Sequence, residues 1–497
     1  IVGAGSAGCA LAARLSENPH RSVLLLEAGN GLAGSGSMPG ELLDASTMVG
    51  AADGHGANWA LEARLTDSRT TRVPRGKVIG GSSTVNGGVF VRAPADDFDR
   101  WAALGNPDWS FAEVLPFLRR LEDDHDFPDG VLHGRGGPMP VTRCLGSALH
   151  PLSQAFGAAC AALGFAEEAD KNGSGPVGFG SLPRNIVDGV RVNAAIAYIA
   201  PHRDRPNLSI ESHVSVRRVM FAGTRAIGVE AEQGGELQTF RGDEIVLCAG
   251  AVMTPHLLLL SGLGPAADSR HHGIAVVADL PGVGTRGRDH PQLFLGFEPL
   301  QPLRPSVPSS VVEVALDTVV DGVPVALMPY LRSMAELVPG SGASTTELVI
   351  GVLLERAERA VDVSLLSADP RVPPAIDYHS LESAADRAHL TAAAEVGLAI
   401  LDSPELAGLG VRRTSPPDAL AFDEWMRANI TTAVHLCASA PMGPDEDRFA
   451  VVDQRCRVRG VEGLRIVDTS ILPTAPARGP ACTAVLIGER ASAFFDQ

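Results

Sequence analysis

Ile1-Val2-Gly3-Ala4-Gly5-Ser6-Ala7-Gly8 is the stretch that decides the fold. An apolar strand end runs straight into G-x-G-x-x-G. The small residues from Cys9 to Leu15 read as a helix, and Val23 to Leu26 as a second buried strand. Strand, tight turn, helix and strand make the βαβ unit that binds a dinucleotide. Gly3 permits the turn, and Gly5 lets backbone approach a pyrophosphate at the positive helix end. Gly8 lets helix and strand pack closely. Glu27 stands 19 residues beyond Gly8, where a carboxylate can accept from both ribose hydroxyls. A simple nicotinamide dehydrogenase would go on winding its sheet. Here Gly29, Gly31, Gly34 and Gly36 open a long irregular stretch to about Arg72, an excursion more typical of flavoproteins.

A second glycine cluster follows at Pro74-Arg75-Gly76-Lys77-Val78-Ile79-Gly80-Gly81-Ser82-Ser83-Thr84-Val85-Asn86. Gly80 and Gly81 expose backbone N–H groups, and Ser82, Ser83 and Asn86 add polar donors. Such a loop can wall a phosphate or an isoalloxazine ring, or be a plain glycine-rich turn.

The segment Pro74–Asn86, with Asp97 to Trp101 and Asn106-Pro107-Asp108-Trp109 after it, resembles the first signature of the glucose-methanol-choline (GMC) oxidoreductases. Gly250-Ala251-Val252-Met253-Thr254-Pro255-His256 through Ser261-Gly262-Leu263-Gly264 is similar to the second. Gly282-Val283-Gly284 and Asp289-His290 resemble a third motif, with Arg286-Gly287 where Asn-Leu is usual. Val467-Asp468-Thr469-Ser470 and Ile487-Gly488-Glu489 resemble the last cofactor-contacting strand and helix. The likeness spans the chain. It implies a discontinuous Rossmann-like FAD-binding domain (α/β) joined to an antiparallel-sheet substrate domain (α+β). It also implies FAD contacts at Gly3, Gly5, Gly8, Glu27, Gly80, Gly81, Ser82, Asn86 and Asp468, with the backbone of Val216 pairing adenine. Some relatives bind flavin covalently through a His just before the signature Asn. That position is Val85 here, so non-covalent FAD is expected.

Oxidising an alcohol carbon requires a base for the hydroxyl proton while a hydride leaves. Histidine suits that task, but the chain has fourteen. His435 opens His435-Leu436-Cys437-Ala438-Ser439-Ala440-Pro441-Met442-Gly443, which resembles the family's catalytic motif with Ala438 in place of Gly. The resemblance makes His435 the base. The usual second His or Asn falls on Gly479, so His435 acts alone, another residue replaces the partner, or the chemistry differs. Arg478 beside it can hold a polar or anionic substrate group, or be a solvated loop charge. The loop Arg478-Gly479-Pro480 with Thr483, Asn86-Gly87-Gly88 and Asn185 to Gly189 is similar to GMC dehydrogenases associated with the peptide cofactor mycofactocin. That likeness implies a reduced redox cofactor as substrate and a respiratory acceptor for its electrons. Rival readings are an FAD-containing lyase of the hydroxynitrile-lyase kind and a redox relay that has lost alcohol oxidation.

The rest of the chain bounds these expectations. The 497 residues carry 41 basic and 58 acidic side chains, a formal charge of −17, which argues against a nucleic-acid partner. Seven cysteines without a C-x-x-C suggest neither disulfide framework nor zinc site. Glu122-Asp123-Asp124-His125-Asp126 has metal-ligand residue types but reads as a solvated acidic turn, so no metal is expected. No run of about 18 apolar residues exists to span a bilayer. The expected location is the cytoplasm, with peripheral membrane contact allowed. Export stays open, because the chain begins at Ile1 inside an apolar strand and no leader can be judged. Expected partners are an alcohol or reduced cofactor and an electron acceptor: quinone, respiratory chain or oxygen. Residues 1–289 are assigned to the FAD domain, 290–430 to the cap and 431–497 to a return into the FAD domain. Within the cap, Pro299 to Pro308 reads as an extended connection. Val311–Leu316, Val323–Met328 and Glu347–Leu354 read as strands, with Pro324 favouring an edge position for the second.

Overall fold

A computed structural model describes all residues except 33–37, 128–129, 302, 304–309, 418–420 and 496–497. Gly34, Gly36 and the prolines at 302, 305 and 308 thus lie outside the described residues. The dinucleotide unit forms as its sequence dictates. The strand Val23–Leu26 follows the helix Ser6–Leu15 and pairs in parallel with Leu208–Glu211. Val2 bridges Leu26 on one side and Leu247 on the other, and Ile245–Leu247 pairs in parallel with Leu464–Ile466. Chain segments more than 400 residues apart therefore share one parallel sheet. The C-terminal helix Ala481–Ser492 crosses Ser6–Leu15 closely, and a Cβ on Gly488 would overlap the Ala7 carbonyl. One apolar core encloses both ends of the chain.

A second core lies under an antiparallel sheet. Its strands run in the spatial order Val411–Arg413, Pro291–Pro299, Leu348–Leu354, Val323–Pro329, Val314–Val320 and Phe179–Ser181. One face packs on the helices Ala384–Leu401 and Pro151–Ala162 through Leu293, Leu295, Leu327 and Val352. Two segments from within 1–289, the helix Pro151–Ala162 and the strand Phe179–Ser181, pack in this core and not in the dinucleotide core.

The structure corrects three local expectations. Val323–Pro329 is an interior strand, not an edge. The Pro324 carbonyl accepts from Glu355 N (3.1 Å), so its missing N–H points the same way, beyond the last paired residue Leu354. No ladder bond to Val314–Val320 is lost. The stretch up to Arg72 contains the hairpin Leu61–Thr66/Arg69–Val73, extended by Ala375–Asp377 and Asp362–Ser364. Leu61, Ala63 and Leu65 point inward and Glu62 and Arg64 outward, a period of two that the sequence already carried.

The acidic run is not a solvated turn. The strand Glu122–Asp124 pairs with Met139–Val141, which turns Glu122 and Asp124 inward. Arg92 pairs with Glu122, Arg143 with Asp124 (3.0 Å), and His133 reaches Glu122 (3.1 Å), Asp124 (3.1 Å) and Asp170 (2.8 Å). Burial alone would lower the His133 imidazole, but these carboxylates raise it to about 10. The ligand atoms of Glu122, Asp124 and His133 lie within 4.8 Å of one another, yet both carboxylates are already bound by arginine. All seven cysteines are buried, and none is joined in a disulfide. No helix among the described residues is long and apolar enough to cross a membrane.

Candidate active site

A single cavity of about 1350 Å³ runs from the glycine turn to the inner face of the cap sheet. Of the residues singled out from sequence, Gly3, Gly5, Glu27, Gly81, Ser82, Asn86, Val216, Asp468, His435, Arg478 and Gly479 line it together. Gly8 and Gly80 do not reach it. Gly8 packs under the Gly3 carbonyl, and Gly80 N donates to Ala4 O (2.7 Å).

The cradle is built from backbone. Gly3 has φ +100, and a Cβ there would come 2.5 Å from the Cys248 carbonyl. Gly81, at φ +55, brings the second glycine cluster onto the first: a Cβ would lie 2.7 Å from Gly5 Cα. Glu27 is buried and accepts from Ala4 N (3.0 Å) and Gly29 N (2.8 Å); burial pushes its carboxyl up against those bonds. Asp468 accepts from Thr254 Oγ1 (2.6 Å), Gly250 N (2.9 Å) and Ser470 N (2.9 Å), so it ties the second signature to the last strand. Arg75 donates to the Val434 carbonyl (2.6 Å), while its other terminal nitrogen, buried at the cavity wall, has no protein partner. A cleft walled by glycine backbone that a Cβ would fill and an orphaned guanidinium nitrogen fit a bound flavin dinucleotide.

Where the cavity meets the cap, two histidines touch. His435 Nδ1 lies 3.0 Å from His290 Nδ1, and the rings stand edge to face. His290 Nε2 lies 3.0 Å from the Pro476 carbonyl. A carbonyl only accepts, so His290 Nε2 carries a hydrogen and neutral His290 offers a lone pair at Nδ1. His435 Nδ1 must then donate. The remaining nitrogen, His435 Nε2, is left unprotonated. Burial lowers both imidazoles; the pull on His435 is reinforced by His290 and by Arg75. Asp289 positions the pair without contacting either ring. Its Oδ1 accepts the backbone N–H of His290 (2.6 Å) and of His435 (2.8 Å), and its Oδ2 accepts from Thr432 Oγ1 (3.0 Å).

The loop after Asp468 returns to this imidazole. A Cβ on Gly479 would sit 3.4 Å from both Nε2 and Cε1 of His435. Position 479 thus lies beside Nε2, and glycine leaves the space open. Ala438, where the related motif has glycine, adopts φ +61. Arg478 is neither a solvated charge nor free for substrate. It is 7% exposed and donates to Glu168 (2.8 Å), to Asp317 (2.9 Å) and to the Lys171 carbonyl. Sequence reading missed His290 as the partner of His435. Asp289-His290 was visible as a motif, but nothing local announces a contact across 145 residues.

A dinucleotide cradle that opens onto a buried imidazole with one unprotonated nitrogen is an arrangement that fits a cofactor-dependent oxidoreductase. Two family models, both described as GMC oxidoreductase, match residues 1–292 and 358–488. The chain belongs to this family, and it is an FAD-dependent oxidoreductase acting on alcohols. It is 40% identical over 496 residues to an uncharacterised GMC-type oxidoreductase in the thcA 5′ region of Rhodococcus erythropolis (100% of this chain, 97% of the relative). It is 32% identical over 528 residues to an oxygen-dependent choline dehydrogenase of Vibrio vulnificus (99% and 93%). The crystal structure of pyridoxine 4-oxidase from Mesorbium loti superposes with a TM-score of 0.90 at 28% identity, covering 100% of this chain and 98% of that one.

Proposed function

We propose that the chain oxidises an alcohol carbon with His435 Nε2 as the base. The observation that carries this reading is the chain Pro476 O, His290, His435, which leaves one lone pair on His435, beside Gly479 in the wall of the cavity. Bound FAD supplies the hydride acceptor. His435 takes the hydroxyl proton at Nε2, and its Nδ1–H stays on His290 Nδ1. The proton travels no further, because His290 Nε2–H ends on a carbonyl. Gly3 and Gly5 take the pyrophosphate side, Glu27 the ribose and the Val216 backbone the adenine. Gly81, Ser82, Asn86 and Asp468 hold the flavin side, while Gly8 and Gly80 shape the turns behind. Val85 is an alkyl side chain and offers flavin no bond, so FAD is held non-covalently.

Anaerobic flavin reduction by a panel of alcohols tests the assignment. His435→Ala is expected to slow reduction at least about 100-fold, the usual scale of acid–base catalysis. A loss under about threefold sinks the role of His435. Native flavin content with no reduction by any alcohol favours a lyase or a relay. The reduced peptide cofactor belongs in the same panel, on the sequence of the Arg478–Thr483 loop. Reoxidation by oxygen against quinones identifies the electron acceptor.

A further inference from the structure

The cap sheet presents one face to the cavity, and register identifies it. Gln292, Leu353, Ala326 and Asp317 stand opposite one another across four strands. Phe294, Gly351 and Met328 form the next rung. Glu355 follows Leu353 by two residues, on the same face, and lines the cavity with Leu353, Ala326 and Asp317. This wall is mostly apolar and carries two acids.

The two acids are treated differently. Asp317 is bound by Lys171 (3.0 Å) and Arg478 (2.9 Å). The same two cations bind Glu168, each at 2.8 Å. Two cations and two carboxylates close a neutral set. Glu355 is left over: it is 4% exposed, and among the described residues no ion pair or hydrogen bond reaches its carboxyl. A buried polar group without a partner is costly unless a ligand supplies one. Burial and the charge of Asp317, with a smaller push from Asp97, raise the Glu355 carboxyl well above its ordinary range; Arg478 and Lys171 pull the other way and do not prevail. Glu355 therefore stands at the cavity wall with a carboxyl that holds a proton more readily than an ordinary glutamate, and a protonated carboxyl has an O–H to donate.

We propose that Glu355 is the polar anchor of the substrate chamber and donates a hydrogen bond to an acceptor on the carbon frame of an uncharged, partly apolar alcohol. A cationic substrate fits the site less well. It would have to ionise Glu355 beside Asp317 while approaching Lys171, Arg478 and, near His435, Arg75. The proposal rests on the alcohol-oxidising reading above and narrows its substrate class.

The test uses the FAD-loaded enzyme with Glu355→Gln and Glu355→Leu. Infrared spectra in heavy water at neutral pH should show a protonated-carboxyl stretch in wild type that both variants lack. That band should shift on adding 4-methoxybenzyl alcohol. In anaerobic flavin reduction, 4-methoxybenzyl alcohol should exceed benzyl alcohol by about tenfold in kcat/KM, the scale of one hydrogen bond. The advantage should persist in Glu355→Gln, which keeps a donor, and vanish in Glu355→Leu. The proposal is overturned if the band is absent or does not shift, if wild type shows no such advantage, or if the advantage survives in Glu355→Leu. Preference for choline that is lost in Glu355→Gln also overturns it, since that marks an ionised carboxylate. If no alcohol reduces the flavin, the catalytic reading fails, while the infrared band and its shift still decide on Glu355.

Discussion

Two buried histidine clusters in this molecule use the same residue types to opposite ends. Near the surface of the dinucleotide core, His133 meets three carboxylates, from Glu122, Asp124 and Asp170, and is held as a cation. At the cavity, His435 Nδ1 meets another imidazole, and the Asp289 carboxylate is spent on backbone N–H groups and Thr432. The first histidine has both nitrogens committed. The second keeps a lone pair. Burial penalises charge in both places, and the hydrogen-bond partners decide the proton state. A histidine becomes a base where its partners leave one nitrogen unclaimed.

Perturbing each cluster sharpens this contrast. The largest effect is expected from His435→Ala, with flavin reduction slowed at least about 100-fold and the melting temperature little changed. Next is His290, a positioning residue. Replacing it with Leu removes the acceptor that selects the His435 tautomer, so reduction should slow at least about tenfold. Burial, the largest cause of the lowered His435 imidazole, persists in that variant, so its rate should fall without a new inflection near 6.5 in the pH profile. His290→Gln, which can still accept, should recover part of the rate; equal loss in both variants would reduce His290 to a packing role.

His133→Leu should leave the reduction rate of the folded holoenzyme intact but destabilise it by about 3 kcal/mol in urea titrations, because buried carboxylates lose their counter-charge. The pH signatures differ in sign as well. A raised histidine stabilises the fold fully below its unfolded value of 6.5, and that contribution is lost as pH rises through about 10. Wild-type stability should therefore fall across that alkaline window more steeply than that of His133→Leu. His435, lowered, is already unprotonated at neutral pH, so kcat/KM should be flat there, with no inflection near 6.5. Gly479→Ala should have the smallest effect, under about threefold with a small primary alcohol, because the added Cβ makes only an ordinary contact at 3.4 Å.

The cradle was legible in sequence because its requirements are local. Gly3, Gly5 and Gly81 are demanded by backbone angles and close approach, and Glu27 by its distance along one strand. His435 and the position at Gly479 were legible through motif order alone. Arg478 was misjudged because a charged loop residue looks the same whether solvated or paired; Glu168 and Asp317 lie 310 and 161 positions away. Glu122 and Asp124 were misjudged for the same reason, since their arginines come from other segments.

What the sequence determined by itself is the nucleotide unit, its assembly from both chain ends, and the motif that singles out His435 among fourteen histidines. These follow from steric rules that act over a few residues and from motifs that keep their order. Only the tertiary structure decided that His290 accepts from His435, that Arg478 is spoken for, and that Glu355 is left without a counter-ion. Proton state and charge pairing depend on which groups meet after folding, and that meeting is set by the register of the cap sheet and the return of the 476–479 loop.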